Sequence, residues 1–133
     1  MATILIFEDD VALALHWRKI LETSNHSVCC CTTVEDALNM ATTTHPDLVV
    51  IDMMVKQGGQ FIPKGGLTLL SQLKLHYEES PYIIGVSGFK PGMYSQSTAL
   101  EIAKHTGVDI ALYKPISAEQ LSNAVAELLA NRH

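Results

Sequence analysis

His45-Pro46-Asp47-Leu48-Val49-Val50-Ile51-Asp52 is the stretch that decides the fold. Pro46 cannot continue a helix, so it closes whatever helix comes before it. Residues 48–51 are an unbroken apolar run rich in β-branched side chains. Such a run, without alternation, fits a strand buried on both faces of a parallel sheet. The run stops abruptly at Asp52. A carboxylate at the carboxyl end of a central parallel strand stands where open α/β sheets bind their ligands. The same residue would also serve as a helix N-cap at a strand-to-helix turn, so the choice between the two rests on the rest of the chain.

Towards the amino terminus, Val34, Ala37, Leu38 and Ala41 fall at helical spacing, with residues 42–46 as the helix exit. Before them, residues 28–32 read as a short strand near a sheet edge. It carries Cys29, Cys30 and Cys31. Consecutive strand residues point to opposite faces, so the three thiols cannot converge on one metal and read as small buried side chains. Residues 11–24 read as a helix. Leu13, Trp17, Ile20 and Leu21 share one face, and Val11, Leu15 and Arg18 form a stripe on the other. Residues 3–7 are a second continuous apolar run, hence a second central strand. Glu8, Asp9 and Asp10 follow at once. Three acids in a row repel one another unless a cation or solvent offsets the charge. A helix N-terminus accounts for one or two of them.

Towards the carboxyl terminus, residues 53–66 (M-M-V-K-Q-G-G-Q-F-I-P-K-G-G) hold two Gly-Gly pairs and Pro63 and read as a flexible loop. They contain no glycine pattern of a nucleotide cradle. A helix is expected over residues 67–79, with Leu69, Leu70, Leu73 and Tyr77 inward. Residues 82–86 are another buried strand, ending in Ser87-Gly88. Lys90-Pro91-Gly92 is turn chemistry. A fourth helix over residues 95–105 turns Ala99, Ile102 and Ala103 inward, with Gly107 as its C-terminal cap. Residues 108–113 hold the last strand, which Lys114-Pro115 terminates. Ser117 with Gln120 forms a capping box, and Leu121, Ala124, Val125 and Leu128 are the inward face of a closing helix.

A chain of 133 residues with 47% hydrophobic content is long enough for one well-packed domain. The net charge of -5 and the lack of a basic run argue against a nucleic-acid surface. The opening has no basic n-region, and no run reaches the roughly 18 apolar residues of a membrane span. A cytoplasmic protein with no membrane insertion is therefore expected.

Five strand–helix units argue an α/β fold, a doubly wound parallel sheet with helices on both faces. In such a sheet all carboxyl ends lie on one edge. Glu8 and Asp9 follow the first strand, Asp52 the third, Ser87 the fourth and Lys114 the fifth. That collection suits phosphoryl transfer onto a carboxylate. A hard divalent cation takes oxygen ligands, which Glu8, Asp9 and Asp52 supply. Asp52 is the candidate nucleophile. Lys114 offsets charge on the transferring group, and Ser87 donates a hydrogen bond to it.

The motifs I-L-I-F-E-D-D, P-D-L-V-V-I-D, I-I-G-V-S-G, G-V-D and Y-K-P-I, in this order, cover essentially the whole chain. Together they resemble a response-regulator receiver domain of two-component signalling. The resemblance implies one receiver domain over residues 1–133, with a flavodoxin-like, five-stranded sheet in the order 2-1-3-4-5 flanked by five helices. It implies that Asp52 is the phosphoacceptor, charged from a phosphohistidine. Glu8 and Asp9 resemble the acidic pair that binds Mg²⁺ or Mn²⁺, with Asp9 a direct ligand and the backbone carbonyl of Met54 completing the site. Ser87 resembles the switch hydroxyl and Lys114 the family's lysine, with a cis peptide before Pro115. A histidine kinase or histidine phosphotransfer protein is the implied partner. Val11 and Leu15 of the first helix, with Ile116, form its expected docking surface. Trp17 follows the acidic run, so its fluorescence is expected to report cation binding. The protein would be a signalling receiver that promotes only its own phosphorylation and dephosphorylation.

Two features depart from the family pattern. The loop after Asp52 is longer than usual and carries Lys56 where proline often stands. The aromatic switch position, three residues before Lys114, is Ala111, whereas Tyr113 lies two residues on and on the same strand face. A degenerate receiver that only docks partners is a competing reading, disfavoured because no acid, hydroxyl or lysine is missing. A small phosphatase with an aspartyl nucleophile is another. Such enzymes carry a second Asp two residues on as acid/base, where this chain has Met54.

Overall fold

The computed structural model describes residues 2–53, 55–57, 60–62, 64–76, 80–87 and 107–131. Among them, β1 (Thr3–Phe7), β2 (Ser27–Cys31), β3 (Leu48–Asp52), β6 (Tyr82–Ser87) and β7 (Ile110–Tyr113) form a parallel sheet in the order β2-β1-β3-β6-β7. Numbered among themselves, the five strands run 2-1-3-4-5, as expected. Four helices lie among the described residues: α1 (Val11–Thr23), α2 (Val34–Thr44), α3 (Lys64–His76) and α4 (Ala118–Ala130). The expected helix over residues 95–105 falls outside the described residues, as do Tyr77 and the turn at Lys90-Pro91-Gly92.

Strand alternation divides the core into two layers. Ile4, Ile6, Leu48, Val50, Ile84 and Val86 face α1 and α4, where they meet Ala14, Trp17, Leu21, Leu121, Val125 and Leu128. Leu5, Phe7, Val49, Ile51 and Ile83 face α2 and α3, against Ala37, Ala41, Leu69, Leu70 and Leu73. All five residues of β3 are buried. Each such aliphatic side chain contributes on the order of 1.5–3 kcal/mol on burial, so the central strand is held from both faces. The helix ends follow local chemistry. Asp10 caps α1 by accepting from Leu13 N at 3.1 Å. α2 stops at Thr44 with His45 in the left-handed region at φ 48°, immediately before Pro46. Ser117 and Gln120 form the capping box of α4.

The described residues between 53 and 66 correct the sequence reading: they do not form a plain loop. β4 (Val55–Gln57) and β5 (Gln60–Ile62) pair antiparallel, with Val55 opposite Ile62, Lys56 opposite Phe61 and Gln57 opposite Gln60. In the sequence the two short β-prone runs are separated by Gly-Gly, which is a hairpin signal as well as a breaker. α3 also begins earlier than expected, at Lys64, and takes Gly65 and Gly66 into its first turn. Each helical glycine costs about 1 kcal/mol against alanine. Packing overrides that cost at Gly66, where a Cβ would stand 2.5 Å from the carbonyl oxygen of Asp52 and 2.7 Å from Met53 Cα. Only a glycine lets α3 approach the end of β3 this closely.

The two sheet edges are finished differently. At the amino edge, Asp47 accepts from Thr3 N at 2.8 Å and Asp109 accepts from Ile83 N at 2.7 Å. At the carboxyl edge the backbone ladder runs one residue past the strands. Glu8 N donates to Cys31 O (3.1 Å), Met53 N to Val86 O (2.8 Å) and Lys114 N to Ser87 O (2.7 Å). These bonds fix the backbone at Glu8, Lys114 and the residue after Asp52.

Candidate functional site

The register brings Phe7 opposite Ile51, Asp52 opposite Val86, and Ser87 opposite Tyr113. Glu8 and Asp9 therefore leave β1 beside the end of β3, and Ser87 and Lys114 finish the next two strands. One carboxylate oxygen each from Glu8, Asp9 and Asp52 lies within 4.8 Å of the others. Among the described residues this is the one group of three His, Cys, Asp or Glu side chains so placed. The structure also sorts the three consecutive acids. Glu8 is fully buried, Asp9 half-buried, and Asp10 exposed in its capping role.

Lys114 reaches into this cluster. Its Nζ lies 2.9 Å from Glu8 Oε2 and 3.7 Å from Asp52 Oδ2, and both carboxylate side chains are only 1% exposed. The second oxygen of Glu8, Oε1, accepts from Asp10 N at 3.1 Å. Burial pushes the Glu8 carboxyl above its ordinary range, and Lys114 and the Asp10 amide offset only part of the rise. Burial pulls the Lys114 ammonium down, but Asp52, Glu8 and Asp9 together outweigh it and hold it above its usual value.

Three carboxylates, two of them buried, face the Lys114 ammonium. A hard cation with oxygen ligands fits that donor set, in which one oxygen of each carboxylate lies within 4.8 Å of the others. Glu8, Asp9 and Asp52 are the residues able to hold it. The backbone carbonyl expected from Met54 lies outside the described residues.

The remaining sequence-derived positions fall as follows. Ser87 is fully buried at the end of β6. The Lys114–Pro115 peptide is cis. Ala111 and Tyr113 share the α2/α3 face of β7. Val11 and Leu15 are 58% and 47% exposed on α1, while Ile116 is half-buried and packs against the α1/α4 layer. Sequence reasoning missed one contact. Trp17, which the sequence places on the core face of α1, also stands beneath Lys114, whose Nζ is 5.8 Å from the ring centroid. No spacing rule links positions 17 and 114. Only the α1/α4 layer brings them together.

A family model described as response regulator receiver domain matches residues 4–126. No curated protein matches the chain. Among solved structures, a CheY-like response regulator receiver domain from Methylobacillus flagellatus is 27% identical, with a TM-score of 0.73 over 96% of this chain and 98% of that one. NtrX from Brucella abortus, in complex with ADP, is 26% identical with a TM-score of 0.80. That match covers 97% of this chain but 27% of NtrX. A two-component response regulator from Clostridium difficile shares the fold at 20% identity, with a TM-score of 0.81 and 98% of each chain covered. The matched span holds Glu8, Asp9, Asp52, Ser87 and Lys114 together, and the chain belongs to the response regulator receiver domain family.

Proposed function

We propose that this chain is a phosphoacceptor receiver, one domain over residues 1–133 acting in the cytoplasm, that takes a phosphoryl group from a phosphohistidine donor onto Asp52. The observation that carries the reading is the buried Asp52 carboxylate at the end of β3, within 4.8 Å of Glu8 and Asp9 and 3.7 Å from the Lys114 ammonium. An Asp52 oxygen attacks phosphorus, the phosphorus–nitrogen bond of the donor breaks, and the released imidazole takes up a proton. The product is an aspartyl phosphate. Glu8, Asp9 and Asp52 would hold Mg²⁺, with Mn²⁺ as a substitute. The cation supplies charge neutralisation on the phosphoryl oxygens. Lys114 places an ammonium beside the same oxygens, and Ser87 offers its hydroxyl one strand away. The protein's share is positioning and electrostatics.

The histidine kinase or phosphotransfer partner docks on α1 in this reading. The exposed Val11 and Leu15 lie near the acidic end of that helix, and Ala12, Leu15, His16, Arg18, Lys19 and Glu22 line a shallow groove of about 570 Å³. A phosphatase would need an acid/base group near Asp52, and the position two residues on is Met54. With Ala111 at the usual aromatic position, output does not pass through a swinging ring there, because alanine has no side-chain rotamer to change.

Acetyl phosphate with Mg²⁺ tests the proposal without a kinase. One acid-stable, base-labile phosphoryl group should appear, and Asp52→Asn should carry none. A mutant that still labels would show that the acceptor lies elsewhere.

A further inference from the structure

Carboxylates are not the whole surroundings of Lys114. At 5.8 Å from the Trp17 ring centroid, its ammonium is inside the roughly 6 Å over which the negative face of an aromatic ring attracts a cation. Trp17 is 1% exposed, held in the layer that α1 and α4 form over the sheet. Two observations argue that the ring does more than fill space. First, its Nε1–H is buried with no acceptor among the described residues. A buried donor without a partner is unfavourable, and a purely apolar side chain would fill the position without that cost. Second, Lys114 is a long, flexible side chain, 24% exposed, within reach of two carboxylates at 2.9 and 3.7 Å. A point charge on a four-carbon stem has several ways to satisfy itself. A fixed ring face beneath it removes most of them.

We propose that Trp17 is a positioning residue for Lys114. Its indole face holds the ammonium at the mouth between Glu8 and Asp52, so the charge is in place before a phosphoryl group arrives. Preorganised charge needs no rearrangement at the moment of reaction. The kinetic part of this proposal rests on the reading of Asp52 as phosphoacceptor, whereas the placement of Lys114 does not.

The chain has one tryptophan, so biosynthetic incorporation of fluorinated tryptophans alters this ring alone. Fluorination drains the negative face with little change of shape. The maximal rate of labelling by acetyl phosphate at saturating Mg²⁺ should fall stepwise with fluorination, by about five- to tenfold for the most fluorinated ring. The melting temperature and the half-saturating Mg²⁺ concentration should stay unchanged. Trp17→Phe should keep most of the rate and Trp17→Leu should lose about tenfold. A second readout does not depend on phosphoryl transfer. The Lys114 ε-methylene protons should be shifted upfield by the ring in wild type and Trp17→Phe, and return to the ordinary lysine position in Trp17→Leu.

Rates that ignore fluorination, or equal losses in the Phe and Leu variants, would overturn the proposal. So would ε-methylene resonances that do not respond to Trp17→Leu. If the wild type takes no phosphoryl group while those resonances still depend on the ring, the placement of Lys114 stands and the acceptor role of Asp52 falls.

Discussion

Cys31 shows how a local surrounding overrides composition. Three consecutive thiols on an edge strand invite a redox or metal reading, yet β2 parts them. Cys29 and Cys31 point to the α2/α3 layer and Cys30 to the α1/α4 layer, where its Sγ lies 3.7 Å from the carbonyl oxygen of Ala14. Burial, with Asp36 adding to it, pushes the Cys31 thiol from 9.0 up to about 11. The thiolate is the reactive form, so Cys31 should be alkylated by iodoacetamide at pH 8 more slowly than either neighbour, as followed by peptide mass mapping. Three equal rates would contradict the burial. The sign for stability follows: the folded chain keeps a proton that the unfolded chain releases, so Cys31 disfavours the folded state as pH rises from about 9 towards 11. The opposite-face placement of the thiols was legible from strand periodicity. That a helix N-terminus explains one or two of the three acids was legible too, and the structure makes Asp10 the one that caps α1. The partner of Trp17 was not, because contacts between distant elements leave no periodic trace in the chain.

At the scale of elements, α3 and β3 are fitted together through Gly66. Substituting alanine forces its Cβ to 2.5 Å from Asp52 O and 2.7 Å from Met53 Cα, both backbone atoms that cannot rotate away. Gly66→Ala should destabilise the fold by roughly 1–3 kcal/mol, the usual cost of overpacking. It should also slow acetyl phosphate labelling of Asp52, because the strain is relieved by moving the end of β3. A denaturant melt and a labelling time course on the same preparation check both. Normal labelling at normal stability would mean that α3 has room to retreat. This same segment is where sequence reading went furthest astray. Glycine reads as punctuation at both pairs in the sequence, whereas β4 pairs with β5 on either side of the first and Gly66 permits a close approach inside a helix. A glycine names the absence of a side chain, and only the neighbouring backbone says what that absence is for.

For the whole molecule, the continuous apolar runs of β1, β3 and β6 made the parallel sheet legible, and the polar residue after each run marked the edge where the site forms. The amino edge was not legible in the same way. Asp47 and Asp109 sit inside the quoted P-D and G-V-D motifs, yet nothing in their spacing says that each accepts a strand N–H. In the proposed function, Mg²⁺ binds only the folded arrangement of Glu8, Asp9 and Asp52. A ligand of the native state stabilises by about 2.7 kcal/mol at a hundred times its dissociation constant. Mg²⁺ should therefore raise the melting temperature by several degrees, and Asp9→Ala should abolish most of the rise. An equal rise in wild type and variant, measured by calorimetry, would place the cation elsewhere.

The contrast between the two sheet edges has a consequence for how such a domain carries information. At the amino edge Asp47 and Asp109 each accept from a backbone amide. At the carboxyl edge, Glu8 and Asp52 are buried with one lysine between them, so the folded chain holds unfavourable charge in one spot. Folding energy and signalling state then share a variable: whatever neutralises or adds charge at that spot shifts how tightly the whole sheet closes. In the proposed function, the domain's resistance to unfolding becomes a gauge of what occupies the site.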